Sequence, residues 1–216
     1  PTLFDYMKDV QIEQNYKKRY AISDASLKKY QEVYGHKIGK QDIFYYVYAV
    51  LQSRKYISTY SDNLSKEMPR IPMLEGFMQY VEIGKDLADL HINYEKSISA
   101  EEIGIIVDME KPEYKVTKMK FKKQGKVICR DTIIYNDYIT IRNIPERAYE
   151  FIISGKSAIE WIMERYAVTV DKASDIVDDP NTYKGGKYIF NLLISVIGVS
   201  IRTQNLIDKM PEYKEI

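Results

Sequence analysis

The sequence predicts an α+β fold: a helical N-terminal part, central antiparallel β hairpins and C-terminal helices in one compact domain of 216 residues. Three observations carry the prediction. Apolar residues recur at helical spacing through residues 1–96 and again through 145–216. Between residues 114 and 144, β-branched and aromatic residues run in short segments separated by the turn signals Gln124-Gly125 and Asn136-Asp137. A composition of 45% hydrophobic and 29% charged residues is that of a chain able to bury a core.

The chain opens on Leu3, Phe4, Tyr6, Met7 and Val10, a short amphipathic segment, and then a basic run at Lys17, Lys18 and Arg19. A start at Pro1 reads either as an excised piece or as methionine removal before proline. Ser23 and Asp24 cap a helix that carries Leu27, Tyr30 and Val33 and ends at Gly35. Asp42 heads DIFYYVYAVLQS, whose apolar residues cover too wide an arc for a surface helix and predict burial on most sides. In the following SRKYISTYSDNLSKEMPRIPM, Pro69 and Pro72 hold an extended turn around Arg70. An arginine so placed serves either to clamp a phosphate or to pair with a carboxylate. Phe77, Tyr80, Val81, Ile83, Leu87 and Leu90 form the next helix. His91 at its end has no second histidine at ligand spacing and reads as a hydrogen-bonded structural residue.

Residues 97–113 are acidic and irregular, a variable loop. The hairpin stretch follows. In residues 115–121, Thr117, Met119 and Phe121 face one way and Lys118, Lys120 and Lys122 the other, spacing the ammonium groups about 6.7 Å apart. Lys122-Lys123-Gln124-Gly125 supplies a turn, and Val127, Ile128 and Cys129 return as a second strand. Residues 114–130 hold seven of the chain's 32 basic residues and none of its 31 acidic ones, although the net charge is only +1. Such segregation is either a directed binding surface or a strand pair with lysines on its wet face. After Asn136-Asp137, Tyr138, Ile139 and Ile141 resume the β pattern. Pro145 starts a helix through Ala148, Tyr149, Phe151 and Ile152 that Gly155 stops. Ser157 and Glu160 form a capping box for a second helix, with Ile159, Trp161, Ile162, Met163 and Tyr166 as its core side. An acidic loop from Asp171 leads to a final apolar helix.

Several chemistries lack their residues. A single cysteine, Cys129, excludes an internal disulfide and any multi-cysteine zinc site, and fits a reducing, cytoplasmic setting. The longest apolar stretch, residues 188–201, is broken by Asn191, Ser195 and Ser200 and falls short of a membrane span. Gly155-Lys156-Ser157 imitates a phosphate-binding loop but lacks its first glycine, where Glu150 stands. No cofactor, metal site or catalytic residue is expected; the nearest to one is Asp108, Glu113 and Lys115, a faint acid-x-Lys pattern that in a nuclease would hold Mg²⁺.

DIFYYVYAVLQS at 42–53, EMPRIP at 67–72, DLADLHINYE at 86–95 and the run from IIYNDYITI through IPERAYEFIISGKSAIEWIMERYAVTVDKASDIVDDPN at 133–181 together resemble the C-terminal specificity domain of Type ISP restriction-modification enzymes. That resemblance implies a non-catalytic module that reads double-stranded DNA at the end of a chain carrying nuclease, helicase and methyltransferase parts. On charge and spacing, Lys118, Lys120, Lys122, Lys123, Lys126 and Arg130 of the basic hairpin, with Arg70, are the expected DNA contacts, and Tyr135, Asn136 and Arg130 are candidates for base edges. A docking module for the upstream domains and a metal-dependent nuclease are the rival readings.

Overall fold

The computed structural model describes residues 20–96 and 98–216; the expected amphipathic opening and the basic run at 17–19 lie outside the described residues. The chain divides into two compact units, Pro1–Phe44 and Tyr45–Ile216. In the described part of the first, Ser23 caps helix α1 (Asp24–Tyr34), its hydroxyl accepting from the Ser26 amide at 3.0 Å, and Gly35 closes the helix. Helix α2 (Lys40–Gln52) holds residues of both units.

In the second unit, Tyr46, Ala49 and Val50 of α2 are buried while Phe44, in the first, is half exposed, so the helix is less enclosed than its composition predicts. The stretch that ends in the extended turn at Pro69 and Pro72 begins with helix α3 (Arg54–Leu64), which the sequence reading did not assign. Ser53 caps it, and Tyr56 is buried with its hydroxyl donating to the Arg70 carbonyl at 3.0 Å, so tertiary packing outweighs a weak helical pattern. Helix α4 (Phe77–Ile92) follows as expected. A Cβ at its Gly84 would stand 2.0 Å from the Tyr45 carbonyl oxygen, so glycine is what lets α4 approach the α2 backbone.

Four antiparallel strands, β1 (Ile106–Met109), β2 (Lys120–Gln124), β3 (Val127–Ile134) and β4 (Ile139–Arg142), form a sheet in the order β1-β4-β3-β2. Strand β1 lies within the stretch read as a loop. Val107 sits opposite Ile141 across the pair, and the surrounding acids had hidden so short a β pattern. Strand β2 starts at Lys120 rather than Lys115, because Val116 is claimed by Asn181: its amide donates to Asn181 Oδ1 at 3.0 Å and its carbonyl accepts from Asn181 Nδ2 at 2.7 Å.

The expected helix after Pro145 is a correction. Only a 3₁₀ turn forms (Glu146–Glu150), and the chain then pairs β5 (Ile152–Ile153) with β6 (Lys156–Ser157) around Ser154 and Gly155, both left-handed at φ 49 and 87. Gly155 turns a hairpin instead of ending a helix. Helix α5 (Ala158–Arg165) carries the predicted capping box complete. Ile159 and Met163, one turn apart, are buried; Trp161 is about 200° of helical rotation from Ile159 and is 40% exposed, contrary to its expected core role. The acidic stretch contains a small hairpin, β7 (Thr169–Val170) with β8 (Val177–Asp178), and a short helix α6 (Pro180–Tyr183). Helix α7 (Gly186–Ile207) is long and apolar enough to cross a membrane by length and composition, but 67% of that window is buried inside the fold. Its Ile189, Leu193 and Ile197 share one core with Ile133, Ile139 and Ile141 of the sheet. The α+β class read from the sequence is the observed one.

Candidate nucleic-acid interface

The basic stretch becomes an arm. At its base Phe121 pairs with Ile133 and its ring meets Tyr149 edge-on at 5.8 Å, tying β2 to the core. The next pair is Lys122 with Cys129, so Arg130, Asp131 and Thr132 of β3 have no partners on β2. This bulge is fastened at two carbonyls: Arg130 O accepts from the Tyr149 hydroxyl at 2.6 Å and Asp131 O from the Ile144 amide at 3.0 Å. A bulge bends and twists its strand, so these two bonds set the direction in which the rest of the hairpin leaves the sheet.

Beyond the bulge, every residue from 122 to 128 is exposed. Successive strand residues point to opposite faces and directly paired residues to the same one. One face therefore carries Lys122, Cys129, Gln124 and Val127, and the other Lys123 and Ile128. Gly125, at φ 60, and Lys126 make the turn. Val127 is 65% and Ile128 55% exposed, which the sequence reading did not anticipate. A signal was present: Lys122 and Lys123 are consecutive, so a strand containing both has no face to bury. Lys118 and Lys120 continue the exposed lysines toward the sheet, and among the described residues none of the five lysines is held in an ion pair.

Arg130 is differently placed. Its guanidinium pairs with Glu160 at 3.1 Å and lies over the rings of Tyr149 (4.4 Å) and Phe121 (5.5 Å). Burial alone would raise the Glu160 pKa, but hydrogen bonds from Ser157 and the charge of Arg130 hold it below the usual carboxylate range. Burial pushes the Tyr149 phenol up, with Arg130 opposing, so it remains a hydrogen-bond donor. Arg130 thus braces the base of the arm, with 45% of its side chain still exposed.

Tyr135 is 0% exposed, its hydroxyl shared between the carbonyls of Tyr114 (3.0 Å) and Gly186 (2.9 Å). Asn136 uses its whole amide locally. Nδ2 donates to the Glu113 and Lys115 carbonyls, and Oδ1 accepts from the Tyr138 and Ile139 amides, which builds the β3 to β4 reversal. Two of the three candidates for base edges, Tyr135 and Asn136, are therefore engaged within the fold. Arg70 projects from its loop with 92% of its side chain exposed, 3.6 Å from Glu67 and remote in sequence from the arm. Two of the three groups of the faint nuclease pattern serve other bonds: Asp108 binds the Arg142 guanidinium through both carboxylate oxygens, which lowers its pKa, and the Glu113 carboxylate accepts from the Lys115 backbone amide. Among the described residues no three His, Cys, Asp or Glu side chains gather as a metal site.

His91 is structural in geometry. It bonds the Tyr48 hydroxyl through Nδ1 (2.7 Å) and Thr203 through Nε2 (2.8 Å), and stacks on Phe151 at 4.8 Å. It borders a half-open apolar trough of about 550 Å³ that Ile152, Ile153 and Trp161 also line.

The sequence of residues 2–192 matches the family model described as the Type ISP C-terminal specificity domain. Among solved structures, the chain is similar to a nuclease-deletion mutant of the Type ISP restriction-modification enzyme LlaGI in complex with a DNA substrate mimic, at 51% identity and a TM-score of 0.74 over 83% of this chain. It is also similar to the ATP-dependent Type ISP enzyme LlaBIII bound to DNA (44%, TM-score 0.79, 93% of this chain) and to a DrdV–DNA complex (29%, 0.74, 88%). It spans only 14%, 13% and 20% of those chains respectively. No curated protein matches it. With the family model covering most of the sequence and the fold shared with these enzymes, the chain belongs to the Type ISP C-terminal specificity domains.

Proposed function

We propose that this chain recognises double-stranded DNA and, as one part of a larger restriction-modification polypeptide, positions methyltransferase and helicase or nuclease parts on it without doing chemistry itself. The observation that carries this reading is the arm: a lysine-lined two-stranded ribbon without an acid between residues 122 and 129, fixed at its base and exposed on both faces. Lys118, Lys120, Lys122, Lys123 and Lys126 are the phosphate contacts in this reading, on their charge and exposure, and the DNA-bound state of the similar enzymes supports DNA as the partner. Arg130 aims the arm rather than touching DNA.

A salt titration tests the reading. If about four phosphates are neutralised, log affinity for duplex DNA falls against log salt with a slope near about −3.6, with no requirement for divalent metal. Affinity independent of salt would overturn it. Incubation of the chain with plasmid and Mg²⁺ or Mn²⁺ addresses the nuclease reading: DNA left intact is the expected result, and cleavage abolished by Glu113→Gln with Lys115→Ala would replace recognition by catalysis. A second reading, docking of the upstream parts, draws on the apolar trough beside Trp161. Affinity for the separate upstream domains without affinity for DNA would favour it.

A further inference from the structure

The exposed tip of the arm has an unusual chemistry for a solvated hairpin. An isolated two-stranded ribbon is marginal in water, and the described residues leave Val127 and Ile128 more than half exposed. Their exposure on opposite faces suits an environment with two walls, which a groove provides and a flat partner does not. The dimensions agree. Three paired residues per strand make a ribbon roughly 10 Å long, against a major groove about 12 Å wide and 8.5 Å deep. Lysines on both faces, at 122 and 123, then meet phosphates on both sides of that groove.

We infer that Gln124 and Val127 are specificity-determining residues that read adjacent A·T base pairs in the major groove. This rests on the DNA-recognition reading above. The two residues face each other across the last pair before the turn, so they share one face and lie nearest the tip of the paired residues. Their Cβ atoms stand about 4.5–5.5 Å apart, comparable with one or two base steps. A glutamine amide matches the N6 donor and N7 acceptor of adenine, and an apolar side chain matches the thymine methyl. Lys122, on the same face nearer the base of the arm, holds the phosphate that sets their depth. Ile128 and Lys123 fill the opposite side.

The test uses the chain with duplexes selected by binding from a random pool. Enrichment of a motif containing adenine and thymine within two positions is expected. In the selected duplex, replacing that adenine by 7-deazaadenine should weaken wild type about tenfold and leave Gln124→Ala unaffected. Replacing the thymine by uracil, which removes only the methyl, should weaken wild type severalfold and leave Val127→Ala unaffected. Both variants should melt like wild type and keep its salt slope, since neither side chain is packed. A selected motif to which both variants respond as wild type does would overturn the inference while the recognition reading stands. No binding of any duplex by wild type would overturn both.

Discussion

Tyr149 and Arg130 hold one another twice: the phenol donates to the Arg130 carbonyl at 2.6 Å, and the Arg130 guanidinium lies 4.4 Å over the phenol ring. The first bond fixes the backbone at the bulge and the second fixes the side chain that closes on Glu160. Backbone direction and side-chain bracing are thereby joined at the point where the arm leaves the core.

Tyr149→Phe separates the two. The ring remains for the guanidinium, while the Arg130 carbonyl loses its donor. Urea unfolding should report a loss of about 1–2 kcal/mol, the range for a partly buried hydrogen bond left half-made. DNA affinity should fall as well, because the arm is less well aimed; an unchanged melting midpoint and affinity would show that the bulge is held by other means.

Reversing three arm charges, Lys120, Lys122 and Lys123 to Glu, should weaken binding to all duplex sequences alike and flatten the salt dependence. These side chains are exposed, so the circular dichroism spectrum should not change. Full affinity in a variant with an intact spectrum would remove the arm from the interface.

His91 gives the fold a pH dependence of known sign. Burial lowers its folded pKa below the ordinary value of 6.5, so the unfolded chain binds the proton first as pH falls. Stability from this group is present above about 6.5 and is lost progressively below it. Thermal midpoints measured from pH 7.5 to 5 should decline in wild type and decline less in His91→Gln, which keeps hydrogen-bonding capacity without the titration. Parallel curves for the two proteins would contradict the assignment.

Helix α5 offers a comparison inside one element. Ile159→Ala, from a fully buried position, should cost about 2–5 kcal/mol. Trp161→Ala should cost about 1–2 kcal/mol, because the indole is 40% exposed and contributes chiefly its bond to the Ile153 carbonyl at 2.6 Å and partial burial. Chemical denaturation of both variants orders them; a greater loss at Trp161 would mean that the trough it borders is closed in solution.

The parts of the fold legible in the sequence were those with local causes. Ser23, Gly35 and the Ser157–Glu160 box announced helix ends through their own hydrogen bonds, and Asn136 announced its reversal by side-chain to backbone bonding. What escaped depended on distant partners. Strand β1 is defined by β4, more than thirty residues on, and residues 115–119 were diverted from the strand by Asn181. Residues 146–157 mixed a proline start with β-branched residues, and the hairpin won once Ser154 and Gly155 took left-handed conformations. For the interface, charge was legible and aim was not. The lysines are visible in the sequence, but that Arg130 is engaged by Tyr149 and Glu160, and that Tyr135 is buried against the Tyr114 and Gly186 carbonyls, follows from partners that no spacing rule connects to them.

The fastened bulge also divides the chain by tolerance to change. On its inner side, Phe121, Ile133 and Tyr149 are committed to packing, and substitutions there disturb the fold. On its outer side, residues 122–128 are exposed, so at the six positions other than Gly125, whose left-handed φ of 60 suits only glycine well, new side chains can be tried at little cost in stability. A lineage under pressure to change its target could vary these six positions freely while Gly125 and the scaffold that orients them are inherited intact.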